Sequence, residues 1–308
     1  MKSLLRGNVA MGVSKTFSGL NENALRYLLP TWMSAYSGVL LRLGFGAIAF
    51  WALSLFTDRQ AVHTSVRERI GLFMLGAITM TGYMTFLLLG LTYTTPISSS
   101  IFISIEPVIV FIICVIFYQE KVSGEKLIGI VMGLGGAVLC ICTQQKSSIA
   151  TDPLFGNSMC ACSAVCYSIF LVLSARYLKR IDPVTVSKWT FLGGACSAAG
   201  VVCYMGWNAP VLDQWIFSTP MLVLAFVLVF PSFISYFLVD VGLKNLKPTV
   251  VALYGYVILI VAAGVSYALG QDHFSWWQMA SIALIVASIY FVEVAEHKPT
   301  QESGRRLS

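Results

Sequence analysis

Charged side chains are scarce in this chain. Asp, Glu, Lys and Arg make up 11% of its 308 residues, whereas 57% are hydrophobic and the mean hydropathy is +0.79. A water-soluble globule of this size cannot bury so much apolar surface. The apolar runs, such as residues 108–117, also lack the alternation that barrel strands require. We therefore predict an all-α integral membrane protein, because helices satisfy their own backbone hydrogen bonds in lipid.

Histidine is rarer still, with three copies, at His63, His273 and His297. All three lie outside the apolar stretches, whereas the eight cysteines lie inside them. This separation argues against a metal-ligand cluster and a Cys-His nucleophile, and the chain has no HExxH motif. We expect no enzyme activity, no metal and no cofactor. The basic residues form no dense patch, so we expect no nucleic-acid partner.

Long apolar stretches of about 20 residues can cross a bilayer as helices. Hydropathy and helix-breaking residues together predict about ten such spans. No cleavage-site pattern follows Met1, so we treat the first as a retained helix. The spans are placed near residues 5–21, 34–56, 69–91, 96–117, 125–143, 155–176, 184–206, 217–240, 248–268 and 276–295.

The chain contains a weak internal repeat. Residues 91–126 align without a gap over residues 243–278, with Pro96 on Pro248. In the first copy the lysines follow the long apolar run, but in the second they precede it. Because Lys and Arg stay on the cytoplasmic side, the two copies are predicted to be inverted relative to each other. Inverted repeats are typical of secondary transporters.

The distribution of bases also predicts the orientation. With the N-terminus in the cytoplasm, nearly all Lys and Arg residues outside the spans fall on the cytoplasmic side, and only Arg26 and Lys146 fall outside. Both termini are then cytoplasmic, and we expect a multi-pass protein of the cell membrane, in bacteria the inner membrane. The predicted units are a first five-helix repeat at 1–149, a second at 150–296 and a polar tail at 297–308.

One group of motifs resembles the EamA repeat of the drug/metabolite transporter superfamily. The motifs are the hydroxyl-rich run 96–100, Glu106-Pro107, the segment 119–124 and the glycine-rich segment 129–136. This resemblance implies a ten-helix carrier of small organic solutes with a central cavity between its halves, often an exporter of amino acids or other metabolites. The second copy departs from the pattern, because Ile258-Leu259 replaces Glu-Pro.

Three charged residues fall deep within predicted spans, where an isolated charge costs about 3 kcal/mol. Glu106 is either a substrate or proton site or a neutral structural carboxyl at a kink. Lys15 either faces the cavity or extends its long stem to the surface. Arg42 is expected to be a structural partner for a carboxyl group or helix-end carbonyls. Asp240, at the end of its span, is expected to form a surface ion pair with Lys244.

The proposed cavity has a polar wall from the fourth span and an aromatic wall from the ninth. Such walls suit an amphipathic zwitterion better than a sugar phosphate, which would need convergent Arg or Lys. The candidate substrate-binding residues are Lys15, Tyr83, Ser100, Ser104, Glu106, Ser235, Tyr236, Tyr254 and Tyr256. The candidate structural residues are Arg42, Pro107, Pro231, Gly129 and Gly133, the glycines forming a small-residue packing face.

The sequence therefore predicts a secondary-active or facilitative transporter, more specifically an exporter of small amphipathic metabolites such as amino acids, that works by alternating access. Two alternatives stay open at this point. One is a channel-like or scaffolding membrane protein. The other is a carrier for sugar phosphates, nucleotide sugars or drugs. The expected partners are a small solute and the lipid bilayer, with protons a candidate coupling ion, and the protein is either a monomer or a homodimer.

Overall fold

The computed structural model describes residues 2–56, 64–118, 124–143, 150–270, 275–277, 279–284 and 287. These residues form helices and short connections, with no strand among them. A 3-10 turn lies at Pro210–Asp213, and residues 276–277 and 279–284 are also helical. The main helices are α1 (Lys2–Leu28), α2 (Ala35–Phe56), α3 (Val66–Tyr93), α4a (Pro96–Ile103), α4b (Glu106–Tyr118), α5 (Gly124–Thr143), α6 (Pro153–Leu178), α7 (Pro183–Met205), α8 (Thr219–Asn245), α9a (Pro248–Leu253) and α9b (Gly255–Ala268).

Helix starts follow from local sequence. Asp152 and Asp182 precede α6 and α7, and each side chain accepts a hydrogen bond from a backbone N–H of the first turn. The next residues, Pro153 and Pro183, suit the first helical position because proline has no N–H to leave unsatisfied there. The same pair of signals thus opens two consecutive helices of the second half.

Six helices in the described residues are long and apolar enough to cross a membrane, which confirms the all-α membrane fold. Helix α1 is not among them, because Lys15, Glu22 and Arg26 lower its hydropathy. It also continues to Leu28, beyond the predicted end at residue 21. The six spans are Ala35–Phe56, Val66–Tyr93, Pro96–Ile116, Pro153–Leu178, Thr219–Asn245 and Val250–Ala268.

The helices pack in reciprocal pairs. Helix α1 packs on the second part of α8, and correspondingly α6 packs on the second part of α3. Helix α2 packs on its counterpart α7, α4a packs on α9b, and α4b packs on α9a. These contacts between the halves thus occur in exchanged pairs, as a pseudo-twofold axis between two repeats requires. Five helical segments precede the second repeat, and this odd number inverts it in the membrane.

Helix irregularities also recur in the two halves. A π-helical turn lies at Gly76–Met80 within α3 and another at Phe230–Ile234 within α8. The fourth helix is interrupted at residues 104–105 and the ninth at Tyr254. Pro107 follows the first interruption and Pro231 lies in the second π-helical turn, where each removes a backbone donor from the helix.

Glycines lie at one pair of equivalent contacts between the two halves. A methyl group at Gly90 would lie 2.9 Å from the Gly156 carbonyl oxygen, and one at Gly156 would lie 3.0 Å from the Gly90 carbonyl oxygen. At the equivalent contact, a methyl group at Gly7 would lie 2.9 Å from Leu246 Cγ, and one at Gly242 would overlap the Met11 sulfur. The first contact brings two helix backbones together, whereas at the second the glycines make room for the side chains of Leu246 and Met11.

The connections gather at two ends of the bundle. At one end the Ser34 N–H donates to the Asn208 carbonyl at 2.8 Å, and Arg26 Nη1 donates to the Thr92 carbonyl at 3.4 Å. At the other end Arg180 lies 3.8 Å from Glu68. The two groups of connections thus lie at opposite ends of the bundle.

Helix α5 packs on α6 and α4a. Gly129 and Gly133 are buried on this helix, whereas Gly135 is exposed with open space around it. The packing role of the two buried glycines stays a prediction.

Candidate functional site

A small cavity lies where the two halves meet. Its volume is about 20 Å³, which is room for roughly one water molecule. Small-molecule sites are far larger, from about 300 Å³ upward, so this conformation is too contracted to hold an organic solute. The lining residues are Lys15, Ser18, Asn21, Glu22, Arg42, Tyr83, Ile103, Glu106, Tyr167, Pro231, Ser235, Tyr236, Val239 and Ile258.

Four charged side chains line the cavity, and all of them come from the first half of the chain. Lys15 and Glu22 are 2% exposed, and Arg42 and Glu106 are 1% exposed. Two formal positive charges thus face two formal negative charges. Balanced charges are far cheaper to bury than unbalanced ones, which explains how an apolar bundle holds all four.

The first pair is formed by Lys15 and Glu106. Lys15 Nζ lies 3.9 Å from Glu106 Oε2 and 5.1 Å from the centroid of the Tyr167 ring. The ammonium group is therefore attracted by both the carboxylate and the ring face. Lys15 faces the cavity and does not reach the surface, and Glu106 begins α4b directly after the interruption of the fourth helix.

The second pair is formed by Glu22 and Arg42, which interact electrostatically. Ser99 Oγ donates to Glu22 Oε2 at 2.8 Å, and Arg42 Nε donates to Ser232 Oγ at 2.8 Å. Arg42 was expected to serve structure alone, yet it also lines the cavity. Glu22 is not among the residues predicted from sequence, because the predicted first span ends at residue 21. The signal that could have found it is an acidic residue inside a helix that continues to Leu28.

Tyrosines and hydroxyls complete the lining. The rings of Tyr83 and Tyr167 lie 4.7 Å apart, and the Tyr236 ring packs edge-on against Phe191 at 5.3 Å. Ser235 Oγ donates to the Ser14 carbonyl at 2.8 Å, so it ties α8 to α1. Tyr167 was also missed from sequence, because an isolated tyrosine in an apolar span gives no signal of its own.

Other predicted residues lie elsewhere. Ser100 and Ser104 are buried, but their hydroxyls donate to carbonyls of their own helix, of Ile97 and Ser100, and neither residue lines the cavity. Tyr254 is half-buried at the interruption of the ninth helix and is also outside the lining. The side chain of Tyr256 lies outside the described residues.

The predicted surface ion pair between Asp240 and Lys244 is wrong. The Asp240 side chain is 3% exposed, and Ser187 Oγ donates to its Oδ2 at 2.5 Å. Helix α8 extends to Asn245, so position 240 lies more than a turn before the helix end and faces α7. Among the described residues, no group of three His, Cys, Asp or Glu side chains is arranged to hold a metal ion.

Comparison with protein-family models shows the evolutionary relationship. Residues 6–142 and 154–294 each match the EamA-like transporter family. The chain belongs to this family. The match confirms the resemblance seen at Glu106-Pro107 and shows that the architecture arose as two EamA repeats. This EamA protein is therefore a multi-pass membrane transporter and not an enzyme.

Its relatives are distant but similar in length. It is 23% identical to YyaM, an uncharacterized transporter of Bacillus subtilis, over 89% of this chain and 88% of the relative. A WAT1-related protein of Arabidopsis thaliana is 22% identical over 91% of this chain and 76% of the relative. A crystal structure 17% identical in sequence covers 96% of this chain and 98% of its own, with a TM-score of 0.66. At that identity the structural similarity supports the fold alone.

Proposed function

We propose that this transporter is a secondary-active or facilitative exporter of small amphipathic metabolites such as amino acids. The observation that carries this proposal is the buried cavity at the junction of the two repeats, lined by two positive and two negative side chains. A site that a transporter uses for alternating access is expected at this junction, near the middle of the bilayer.

The contracted volume supports alternating access. A cavity of about 20 Å³ must widen before a solute enters. Because the two repeats are related by a pseudo-twofold axis, they can separate by equivalent movements on either side of the membrane. The π-helical turn of α8 and the two interrupted helices lie beside the cavity, where Pro231, Glu106 and Ile258 line it. Such irregular segments are common where transporter helices bend around a solute.

The charge pattern favours a zwitterion over a phosphorylated solute. Each cation of the cavity is accompanied by a carboxylate, Lys15 by Glu106 and Arg42 by Glu22. A phosphate group would need convergent cations without adjacent carboxylates. Tyr83 and Tyr236 provide apolar surface for the body of an amphipathic solute.

Counterflow is the test of this function. Purified protein in sealed vesicles loaded with unlabelled amino acid should accumulate the radiolabelled amino acid from outside, with a saturable rate. Exchange of this kind requires a carrier that binds solute on alternate sides, which neither a channel nor a scaffold provides. Competition by sugar phosphates or nucleotide sugars, with none by neutral amino acids, would contradict the proposed substrate class.

Protons are the proposed coupling ion, and Glu106 is the proposed carrier of the proton. It faces Lys15, Glu22 and Tyr167, so its charge state is linked to the solute-binding groups. We expect Glu106→Gln to leave a folded protein whose transport is lost or independent of pH between about pH 5 and 8. If transport by this variant depended on pH as it does in the wild type, Glu106 would have only a structural role.

We also infer that both termini are cytoplasmic and that the bacterial inner membrane is the location. On a cysteine-free background, a cysteine at exposed Arg180 should react only from the cytoplasmic side, and one at exposed Asp213 only from outside. The reverse pattern would overturn the orientation. The proposed division near residue 149 and the polar tail at 297–308 lie outside the described residues.

A further inference from the structure

Three polar atoms that belong to cavity residues have no hydrogen-bond partner within the described part of the chain. They are Asn21 Oδ1, Arg42 Nη1 and Glu106 Oε2. All three side chains are at most 3% exposed. Leaving a buried donor or acceptor without a partner is costly, so such atoms call for an explanation. Three of them in one cavity mark a polar site whose groups a solute can pair with once the cavity widens.

The three atoms are of two chemical kinds. Asn21 Oδ1 and Glu106 Oε2 accept hydrogen bonds, whereas Arg42 Nη1 donates them. An α-amino acid carries the complementary groups on one carbon atom: an ammonium with three donors and a carboxylate that accepts. A pure amine or a pure carboxylic acid would satisfy one kind of atom and leave the other unpaired.

We propose that Arg42 is the carboxylate-binding residue of this transporter and that Glu106 and Asn21 bind the ammonium of an α-amino acid. This assignment rests on the proposed function and extends it to one substrate class and to named contacts. It replaces the structural role that the sequence indicated for Arg42.

The hydrogen bonds around Arg42 support this role. Its Nε is fixed by Ser232 in the π-helical turn of α8, and Ser232 Oγ in turn donates to the Val227 carbonyl at 2.8 Å. The guanidinium is therefore anchored at one edge, while Nη1 on the other part of the fork stays free to bind. An Arg fork held in this way can bind a carboxylate with defined geometry.

The charge balance gives a second reason. Lys15, Glu22, Arg42 and Glu106 carry no net formal charge together. A neutral zwitterion adds an equal number of charges of each sign and keeps the buried cluster balanced. A singly charged amine or acid would leave one uncompensated charge in a low-dielectric site, which is unfavourable.

A ligand series on the wild-type protein tests this inference without any substitution. Leucine is compared with isopentylamine, which lacks its carboxylate, and with 4-methylpentanoate, which lacks its ammonium, as competitors of bound radiolabelled leucine. We expect leucine to bind about 10- to 100-fold more tightly than either analogue, because each loses a hydrogen bond to a buried charge. Equal binding of leucine and isopentylamine would overturn the assignment.

Two variants assign the groups to residues. Arg42→Gln should weaken leucine binding to about the level of isopentylamine and leave isopentylamine binding unchanged. Glu106→Gln should weaken leucine and isopentylamine together and leave 4-methylpentanoate unchanged. Arg69→Gln, at an exposed position on α3, and Glu68→Gln, at a half-buried position on the same helix, are the matched controls and should change none of the three affinities.

The outcomes separate this inference from the proposed function. No binding of leucine, phenylalanine or threonine by the wild type would overturn both. Binding of these amino acids with an unchanged preference for leucine over isopentylamine in Arg42→Gln would overturn the role of Arg42 alone. If Arg42→Gln does not fold, Arg42→Lys keeps the charge but not the fork, and unchanged leucine affinity in that variant would likewise overturn it.

Discussion

The two repeats share an architecture but differ in the chemistry they bring to the cavity. In the register that aligns Pro96 with Pro248, Glu106 falls on Ile258, and both line the cavity. In the register that aligns Gly7 with Gly156, Lys15 falls on Ala164 and Glu22 on Leu171, which are buried apolar residues. The charged residues that line the cavity all belong to the first repeat: Lys15, Glu22, Arg42 and Glu106.

This difference separates shape from binding chemistry. Glycines at close helix contacts and irregular turns recur in both repeats, because both must form the same packed helices. Charges do not need to recur, since a buried cluster is stable only when its members balance one another. Doubling the cluster would bury four more charges in the same small cavity. The second repeat instead supplies two tyrosines, one serine and aliphatic side chains.

The largest effect is expected from breaking the charged pair of the first repeat. Lys15→Met leaves the Glu106 carboxylate buried without its cation, and we expect a loss of about 3–5 kcal/mol in the free energy of unfolding. The double variant Lys15→Met/Glu106→Leu should recover much of this stability, because two apolar side chains replace the pair, while transport stays abolished. Thermal unfolding in detergent and counterflow in vesicles measure the two effects.

A surface ion pair with a similar distance between its charged atoms, Arg180 and Glu68, provides the control. Arg180 lies 3.8 Å from Glu68 but is 76% exposed. Arg180→Met should therefore change stability by less than about 1 kcal/mol. If Lys15→Met melted at the same temperature as Arg180→Met, the buried pair would have no special importance for the fold.

A smaller and unequal effect is expected at the equivalent glycines. Gly90→Ala places a methyl group against the Gly156 carbonyl oxygen, which belongs to the backbone and cannot move aside, and should cost about 1–3 kcal/mol. Gly242→Ala meets the end of the Met11 side chain, which can adopt another rotamer, and should cost less. Melting temperatures of the two variants check this order, and the reverse order would show that the repeats do not pack as described.

The smallest effect is expected from serines on either side of the comparison. Ser104→Ala removes a hydroxyl bonded only within its own helix, and should change stability by about 0.6 kcal/mol or less and leave solute affinity unchanged. Ser235→Ala removes a bond between α8 and α1 at the cavity, should cost about 1 kcal/mol and should also weaken solute binding. If both variants lost the same amount of solute affinity, Ser104 would be part of the solute-binding site after all.

Sequence reasoning located part of the candidate site. Lys15, Tyr83, Glu106, Ser235 and Tyr236 were selected from sequence and line the cavity. A buried charge is visible in sequence because lipid makes it exceptional. The orientation of a hydroxyl is not visible, because a serine in a helix can bond its own backbone as readily as a neighbour, as Ser100 and Ser104 do.

The sequence by itself determined the membrane fold, the helix count and the duplication. Hydropathy, the positions of proline and glycine, and the repeated motifs are local properties of the chain, and the bilayer imposes the rest. Only the tertiary structure decided which polar groups meet. Glu22, Arg42 and Tyr167 entered the site because three separate helices, α1, α2 and α6, bring them to one cavity. Their association depends on helix rotation and crossing, which follow from the packing of all the helices together and not from any one segment.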